Sequence, residues 1–301
     1  MRRVLVTGGT GYIGTRLVAS LLAAGDDVTV LRRSNGQLPD LDGWTRALDG
    51  IDAVVHLAAQ TSAYVSDRDP VADAQANVLP VLALLEACAR GATRTVVLAG
   101  TATVFGLPAQ VPVADDAVAR PVTVYDLHKR LAEQYLDLYA RMRAIRGAAL
   151  RLCNVYGPGP AGSPDRGIIN MMVKRATDGK ALTVYGTGEL VRDYVYIDDV
   201  VEAFRLAIDH AGTLAGGAYL IGSGVGTRIV DAMQLVAQTA AIKLGKAPDV
   251  THVPEPDDQS PIEKRNFIAD TTAFRTKTGW RAQVAFPDGI ARTFDAVLGH
   301  G

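Results

Sequence analysis

The chain has 301 residues, 48% hydrophobic and 21% charged, with a formal net charge of −1. That size and balance suit a globular α/β enzyme and give no electrostatic reason for a nucleic-acid partner. Cys88 and Cys153 lie far apart with neither CxxC nor metal-ligand spacing, and the five histidines show no HExxH pattern, so no metal is expected. Both cysteines sit in apolar runs and read as reduced, buried thiols of a cytoplasmic protein. No apolar run reaches the ~18 residues of a membrane span, so no membrane partner is expected. After Met1-Arg2-Arg3 the apolar stretch is only Val4-Leu5-Val6, which reads against a secretory leader.

In chain order, residues 3–7 read as a strand and 12–24 as a helix with Ile13, Leu17 and Leu21 on one face, stopped by Gly25. Residues 28–31, 53–57 and 95–99 are short enough for buried strands, with helical patterns at 77–89 and 125–143. This alternation predicts an α/β fold, a Rossmann-type doubly wound parallel sheet, as a dinucleotide-binding domain over 1–155. The run Gly157-Pro158-Gly159-Pro160-Ala161-Gly162-Ser163-Pro164 reads as a loop. Shorter elements beyond it predict a smaller mixed α/β C-terminal substrate domain over 156–301, with part of 183–212 rejoining the first.

Between the first strand and helix, Gly8, Gly11 and Gly14 are spaced GxxGxxG, with Tyr12 and Ile13 opening the helix. The first glycine permits a sharp turn, the second lets backbone N–H groups approach a pyrophosphate, and the third lets helix pack on strand. The second strand runs into Arg32-Arg33-Ser34, where a carboxylate would select NAD(H) by binding the ribose 2′-hydroxyl. Arginines favour a 2′-phosphate, so NADP(H) is the expected cofactor and NAD(H) the other candidate.

Tyr125 and Lys129 stand four apart at the start of a helix, on one face. A nearby ammonium is expected to draw the phenol's pKa down towards working pH for proton transfer. Thr101, just past a strand end, is favoured over Thr103 as the hydroxyl that meets the carbonyl or the phenol. His56 and His128 read as packed or solvated side chains and not as catalysts.

Taken together these residues resemble the extended short-chain dehydrogenase/reductase family, particularly its nucleotide-sugar epimerases, dehydratases and ketoreductases. Residues 7–14 are similar to the TGGxGxIG loop, and 52–59 to the DxVxHxAA strand, whose Leu57, Ala58 and Ala59 then line the cofactor. Asn77 resembles the cofactor-site asparagine that opens the next helix, and Asp40-Leu41 stands where adenine is contacted. Thr101, Tyr125 and Lys129 take the places of the catalytic trio. Residues 151–159 are similar to RxxNxYGPG and 192–199 to RDxxxVxD. The resemblance implies that Asn154, Arg192 and Arg265 bind a nucleoside-diphosphate sugar. It also implies a homodimer through helices 77–89 and 125–143.

Ala102 and Thr103 stand where the dehydratase branch carries an Asp-Glu acid/base pair, which argues against 4,6-dehydration. The arginines at the ribose position point to a cofactor exchanged each turnover. The leading expectation is therefore an NADPH-dependent ketoreductase of a nucleotide-linked keto-sugar, such as a 4-keto-6-deoxyhexose. A nucleotide-sugar 4-epimerase is the alternative on the same residues. A reductase of a non-sugar ketone and a catalytically silent NADP-binding module stand behind them.

Overall fold

The computed structural model describes residues 1–32, 38, 40–160 and 167–299. Among these the strands are β1 (Arg3–Thr7), β2 (Asp27–Leu31), β3 (Ala53–His56), β4 (Thr95–Thr101), β5 (Arg146–Leu152), β6 (Asn154–Tyr156), β7 (Leu182–Tyr185), β8 (Val191–Tyr196), β9 (Ala218–Ile221), β10 (Gly226–Arg228) and β11 (Val250–Val253). The helices are α1 (Tyr12–Ala23), α2 (Leu41–Ala47), α3 (Ala63–Arg68), α4 (Pro70–Asn77), α5 (Leu79–Arg90), α6 (Val124–Arg143), α7 (Ile168–Thr177), α8 (Ile197–Asp209), α9 (Ala211–Leu214), α10 (Ile229–Leu244), α11 (Thr272–Thr278) and α12 (Phe286–Val297).

Val4, Leu5 and Val6 of β1 and all of β3 are buried, as strands covered on both faces by helices must be. They belong to a six-stranded parallel sheet in the order β2-β1-β3-β4-β5-β9. Leu17 and Leu21 of α1 and Phe204 and Ala207 of α8 pack on one face of it. Trp44 of α2, Leu84 and Leu85 of α5, and Ala132 and Leu136 of α6 cover the other. Burying each such leucine is worth roughly 1.5–3 kcal/mol. The doubly wound sheet expected from the sequence is therefore present, and its crevice opens where the order turns back between β1 and β3.

The remaining strands form two small sheets, β10-β8-β6 and β11-β7. They share a core with α7, α10 and α12 that includes Met172, Val173, Met233, Val236, Ile290 and Phe294. Asp193 ties this part together. Its Oδ1 accepts from Ser223 N and Oγ (both 2.7 Å), and its Oδ2 from Gly224 N and Ala269 N (both 3.0 Å).

Two local expectations change. The helix expected over 77–89 is α5, which begins at Leu79, and Asn77 closes α4 instead of opening α5. The run Pro70–Arg90 also reaches the length and mean hydropathy (1.3) of a membrane span, which the sequence reading did not anticipate. Half of that run is buried, and α5 packs against α2 and α6, which makes it part of the core.

Candidate active site

A cleft of about 620 Å³ lies at the C-terminal ends of β1, β3 and β4. Its walls include Gly8, Gly11, Tyr12, Ile13 and Gly14 at one end and Tyr125 and Lys129 at the other. Gly8 turns with φ +67°, and a Cβ there would stand 2.8 Å from Ala58 N. At Gly14 a Cβ would collide with Gly8 O at 2.1 Å. Only glycine fits either position. Gly11 N–H donates to Gly8 O (2.9 Å), and no side chain caps α1, so its first-turn N–H groups face the cleft as an anion cradle. The shape and these donors fit a dinucleotide pyrophosphate.

Leu57, Ala58 and Ala59 line the cleft as expected. Thr7 holds that segment in place: its Oγ1 accepts from Ala58 N (3.1 Å) and bonds His56 Nδ1 (3.0 Å). His56 is thus a packed residue behind the cofactor wall. Arg32 is exposed and lines the rim, while Arg33 and Ser34 lie outside the described residues. Asp40 and Leu41 are corrected. Asp40 caps α2 through Gly43 N (2.9 Å), Leu41 packs in the core, and Leu38 lines the cleft instead.

Asn77 also does something other than expected. It is buried, donates to Gln60 O and Asp73 Oδ1 (both 3.0 Å), and accepts from Gln60 N (3.0 Å). It therefore fixes the loop that follows Ala59 from behind. Asp73 Oδ2 meets His128 Nδ1 at 2.7 Å, so His128 is a packed partner that couples α4 to α6.

Tyr125 and Lys129 share one face of α6 at the cleft, Lys129 buried and Tyr125 half-buried. The start of this helix is secured by three side chains. Thr123 Oγ1 accepts from Asp126 N (3.2 Å), Ser66 Oγ from Tyr125 N (3.0 Å), and Asp67 Oδ1 from Val124 N (2.8 Å). Thr101 stands close enough to the Tyr125 phenol to favour its ionised form, which places the expected trio in one cluster. Electrostatics correct one expectation. Burial, then the Asp126 and Asp73 carboxylates, push the phenol's pKa up, against the pull of Thr101. Lys129 does not bring it down in this geometry.

A second cavity, about 260 Å³, adjoins the first through Val155 and Gly167, which line both. Asn154, Arg192 and Arg265 meet there. Arg265 Nη2 donates to Asn154 Oδ1 (3.4 Å) and Nη1 to Ile262 O (2.7 Å). Arg192 spends Nη2 on Glu263 O (2.6 Å) and Nη1 on Arg265 O and Val191 O, the latter at 3.2 Å. Much of its fork therefore shapes the cavity wall, while its charge stays beside the cavity. Burial, then Arg265, lowers the Arg192 guanidinium to about 10, and burial lowers Arg265 as well. Arg265 Nε and Tyr194 Oη are buried without partners among the described residues. Two crowded cations and two unused donors suit an anion rich in acceptors.

The sequence reading missed Tyr194 and Glu263 in this wall, and Thr10, Leu31, Thr61, Leu152 and Val155 in the larger cleft. Residues 192–199 and the strand ends were already in view, so position relative to strand termini was the available signal.

Residues 4–222 match the model of the NAD dependent epimerase/dehydratase family. A UDP-glucose 4-epimerase of Mycolicibacterium smegmatis is 32% identical over 97% of both chains. A dTDP-glucose 4,6-dehydratase of Streptomyces niveus is 27% identical over 97% of this chain and 92% of its own. Among solved structures, the Thermus thermophilus UDP-glucose 4-epimerase in complex with NAD superposes with a TM-score of 0.82 at 33% identity, covering 99% of each chain.

Burial lowers the Lys129 ammonium from 10.5 to about 8, although the Glu133 and Asp73 carboxylates pull the other way. A base whose folded pKa is depressed weakens the fold below that value, and the penalty fades as pH rises to the unfolded pKa. Lys129→Met is expected to raise stability at neutral pH by up to about 3 kcal/mol. Urea denaturation across pH should show the gain full below about pH 8 and gone near pH 10.5. A destabilised variant, or a gain independent of pH, contradicts this.

Proposed function

We propose that this chain, which belongs to the NAD dependent epimerase/dehydratase family of extended short-chain dehydrogenase/reductase enzymes, interconverts the C4 epimers of a nucleoside-diphosphate sugar. One observation carries the reading: Tyr125 and Lys129 line a cleft suited to a dinucleotide that adjoins a cavity walled by Arg192, Arg265 and Asn154. That arrangement suits a sugar held by its diphosphate at one end and oxidised and reduced at the other. It serves a ketoreductase equally well. Several relatives that align over nearly the whole chain are named as 4-epimerases, and they move the weight from the NADPH-consuming reaction to the redox-neutral one. Ala102 and Thr103 still supply no acid/base carboxylates for dehydration.

A bound nicotinamide supplies the hydride acceptor and donor. Tyr125 takes the proton of the sugar's C4 hydroxyl as a phenolate and returns it to the C4 oxygen when, the keto-sugar having turned, hydride comes back to the opposite face of C4. Lys129 lines the same cleft one turn along α6, placed to hold the cofactor's ribose, and Thr101 fixes where the phenol oxygen points. Asn154, Arg192 and Arg265 hold the diphosphate while the sugar rotates.

With UDP-glucose as substrate, the chain should form the C4 epimer without net consumption of NAD(P)H. Tyr125→Phe should lower kcat by about 10²- to 10⁴-fold. Stoichiometric loss of NADPH with a keto-sugar, and no epimer, would return the reaction to reduction.

The Arg32 guanidinium on the cleft rim supports a 2′-phosphate, whereas the Thermus relative is described in complex with NAD. NADP is expected to raise the melting temperature more than NAD, and Arg32→Ala to erase the difference. Equal shifts in the unmodified chain rule out that preference. Leu79 on α5 and Leu127, Leu138 and Met142 on α6 are exposed, which supports pairing of two chains across these helices. Light scattering should then give twice the chain mass, and a monomer at working concentration ends the reading.

A further inference from the structure

The phenol of Tyr125 is not isolated. Thr101 stands close enough to act on its oxygen, and Thr101 Oγ1 lies 2.7 Å from Thr103 Oγ1. Thr103 Oγ1 in turn donates to Oδ1 of Asp126, the residue that follows Tyr125 on α6. Asp126 is 1% exposed and Thr101 is 8% exposed, while Thr103 and Tyr125 are half-buried, so the chain of oxygens runs along the wall of the cleft with its far end in the interior.

Each threonine hydroxyl has one proton to give and two lone pairs to accept with. An ionised carboxylate only accepts. With Asp126 ionised, the Thr103 proton is committed to it, and the Thr101 proton is then committed to Thr103. One Thr101 lone pair is taken by Thr103 N–H (3.3 Å), which leaves the other for the Tyr125 O–H. Thr101 is saturated in that state and has no proton to offer a phenolate. When Asp126 carries a proton, it donates to Thr103, Thr103 to Thr101, and Thr101 to the phenolate. The two arrangements differ by O–H rotations, the proton gained by Asp126 and the proton lost by the Tyr125 phenol.

We propose that Asp126, acting through Thr103 and Thr101, is a positioning residue that sets whether Tyr125 is held as proton donor or supported as proton acceptor. This rests on the reading above that Tyr125 transfers the proton. The groups facing Asp126 are Tyr125 on its own helix, Asp67 on α3 and Arg265 beside the diphosphate cavity. Asp73 on α4 faces Tyr125 from another side. Arg265 favours the ionised carboxylate, whereas burial and Asp67 oppose it, and burial is the largest influence. An anionic ligand that takes up the charge of Arg265 would shift Asp126 towards its protonated form. Filling the diphosphate cavity thereby readies Tyr125 to accept a proton.

The test is the phenolate absorbance of the full chain against pH, with the spectrum of Tyr125→Phe subtracted to isolate one tyrosine. Asp126→Asn and Thr103→Val should each lower the Tyr125 midpoint by about one unit or more, which is about ten-fold more phenolate at a given pH. Thr103→Ser keeps the hydroxyl and should titrate like the unmodified chain. The alkaline limb of the kcat/KM profile with UDP-glucose should move in parallel. Unchanged midpoints in Asp126→Asn and Thr103→Val overturn the proposal. So does a shift in Asp126→Asn alone, because the charge would then act through space without the hydroxyls. If UDP-glucose is not turned over but the midpoints shift, the epimerase reading fails and the hydroxyl chain stands.

Discussion

Arg151 and Glu133 meet in the interior between β5 and α6, and the site depends on that contact. Arg151 Nη2 lies 2.9 Å from Glu133 Oε2, and its Nε is 3.1 and 3.2 Å from the two carboxylate oxygens. Both side chains are almost wholly buried. Glu133 is one helical turn beyond Lys129 and two beyond Tyr125, while β5 leads from Arg151 to Asn154. One ion pair therefore sets the spacing between the proton-transfer pair and the diphosphate cavity. Such a pair adds little net stability, but removing Glu133 leaves the Arg151 charge buried at a cost of about 3–5 kcal/mol, whereas without Arg151 the carboxylate keeps Arg130 Nη1 at 3.0 Å. Its surroundings are built for it. The guanidinium stands 4.9 Å from the centre of the Phe105 ring and donates to Asp115 O (2.8 Å). A Cβ on Gly100 of β4 would come within 3.1 Å of Glu133 Oε1, so the strand yields room to the carboxylate.

Burial governs the chemistry in the same way that it governs the fold. It pushes the Tyr125 phenol up and the Lys129 ammonium down, so both groups resist ionisation in the closed interior. The nearby carboxylates act in opposite senses, opposing charge on the tyrosine and favouring it on the lysine. Proton transfer then depends on what the polar neighbours Thr101, Thr103 and Asp126 allow. Across the adjoining cavity, Arg192 and Arg265 are held close together against their own repulsion, a strain that a bound anion relieves.

Local signals were legible in the sequence because local geometry demands them. Gly8 and Gly14 are glycines for steric reasons that act within a few residues and against the next strand, so strand, turn and helix could all be read. The Tyr125–Lys129 spacing and the strand ends followed from periodicity alone. What failed depended on partners distant in sequence. Asn77 looked like the start of a helix, but its hydrogen bonds to Gln60 make it the end of one that braces a loop. Asp40 looked like an adenine contact because nothing in the sequence distinguishes that from a helix cap. Asp126 carried no signal, since its partner Thr103 lies 23 residues away on another element. The short helices α3 and α4 lack a strong apolar stripe, and Ser66 and Asp67 matter only because they cap α6.

The redox-neutral course of the reaction is tested most directly with a nucleoside-diphosphate glucose that carries deuterium at C4. Removal and return of the same hydride within one site leaves the label on C4 of the epimer, with no net change in NAD(P)H absorbance. Loss of the label from the sugar, or oxidation of added NADPH in step with product, would contradict a 4-epimerase and restore the ketoreductase.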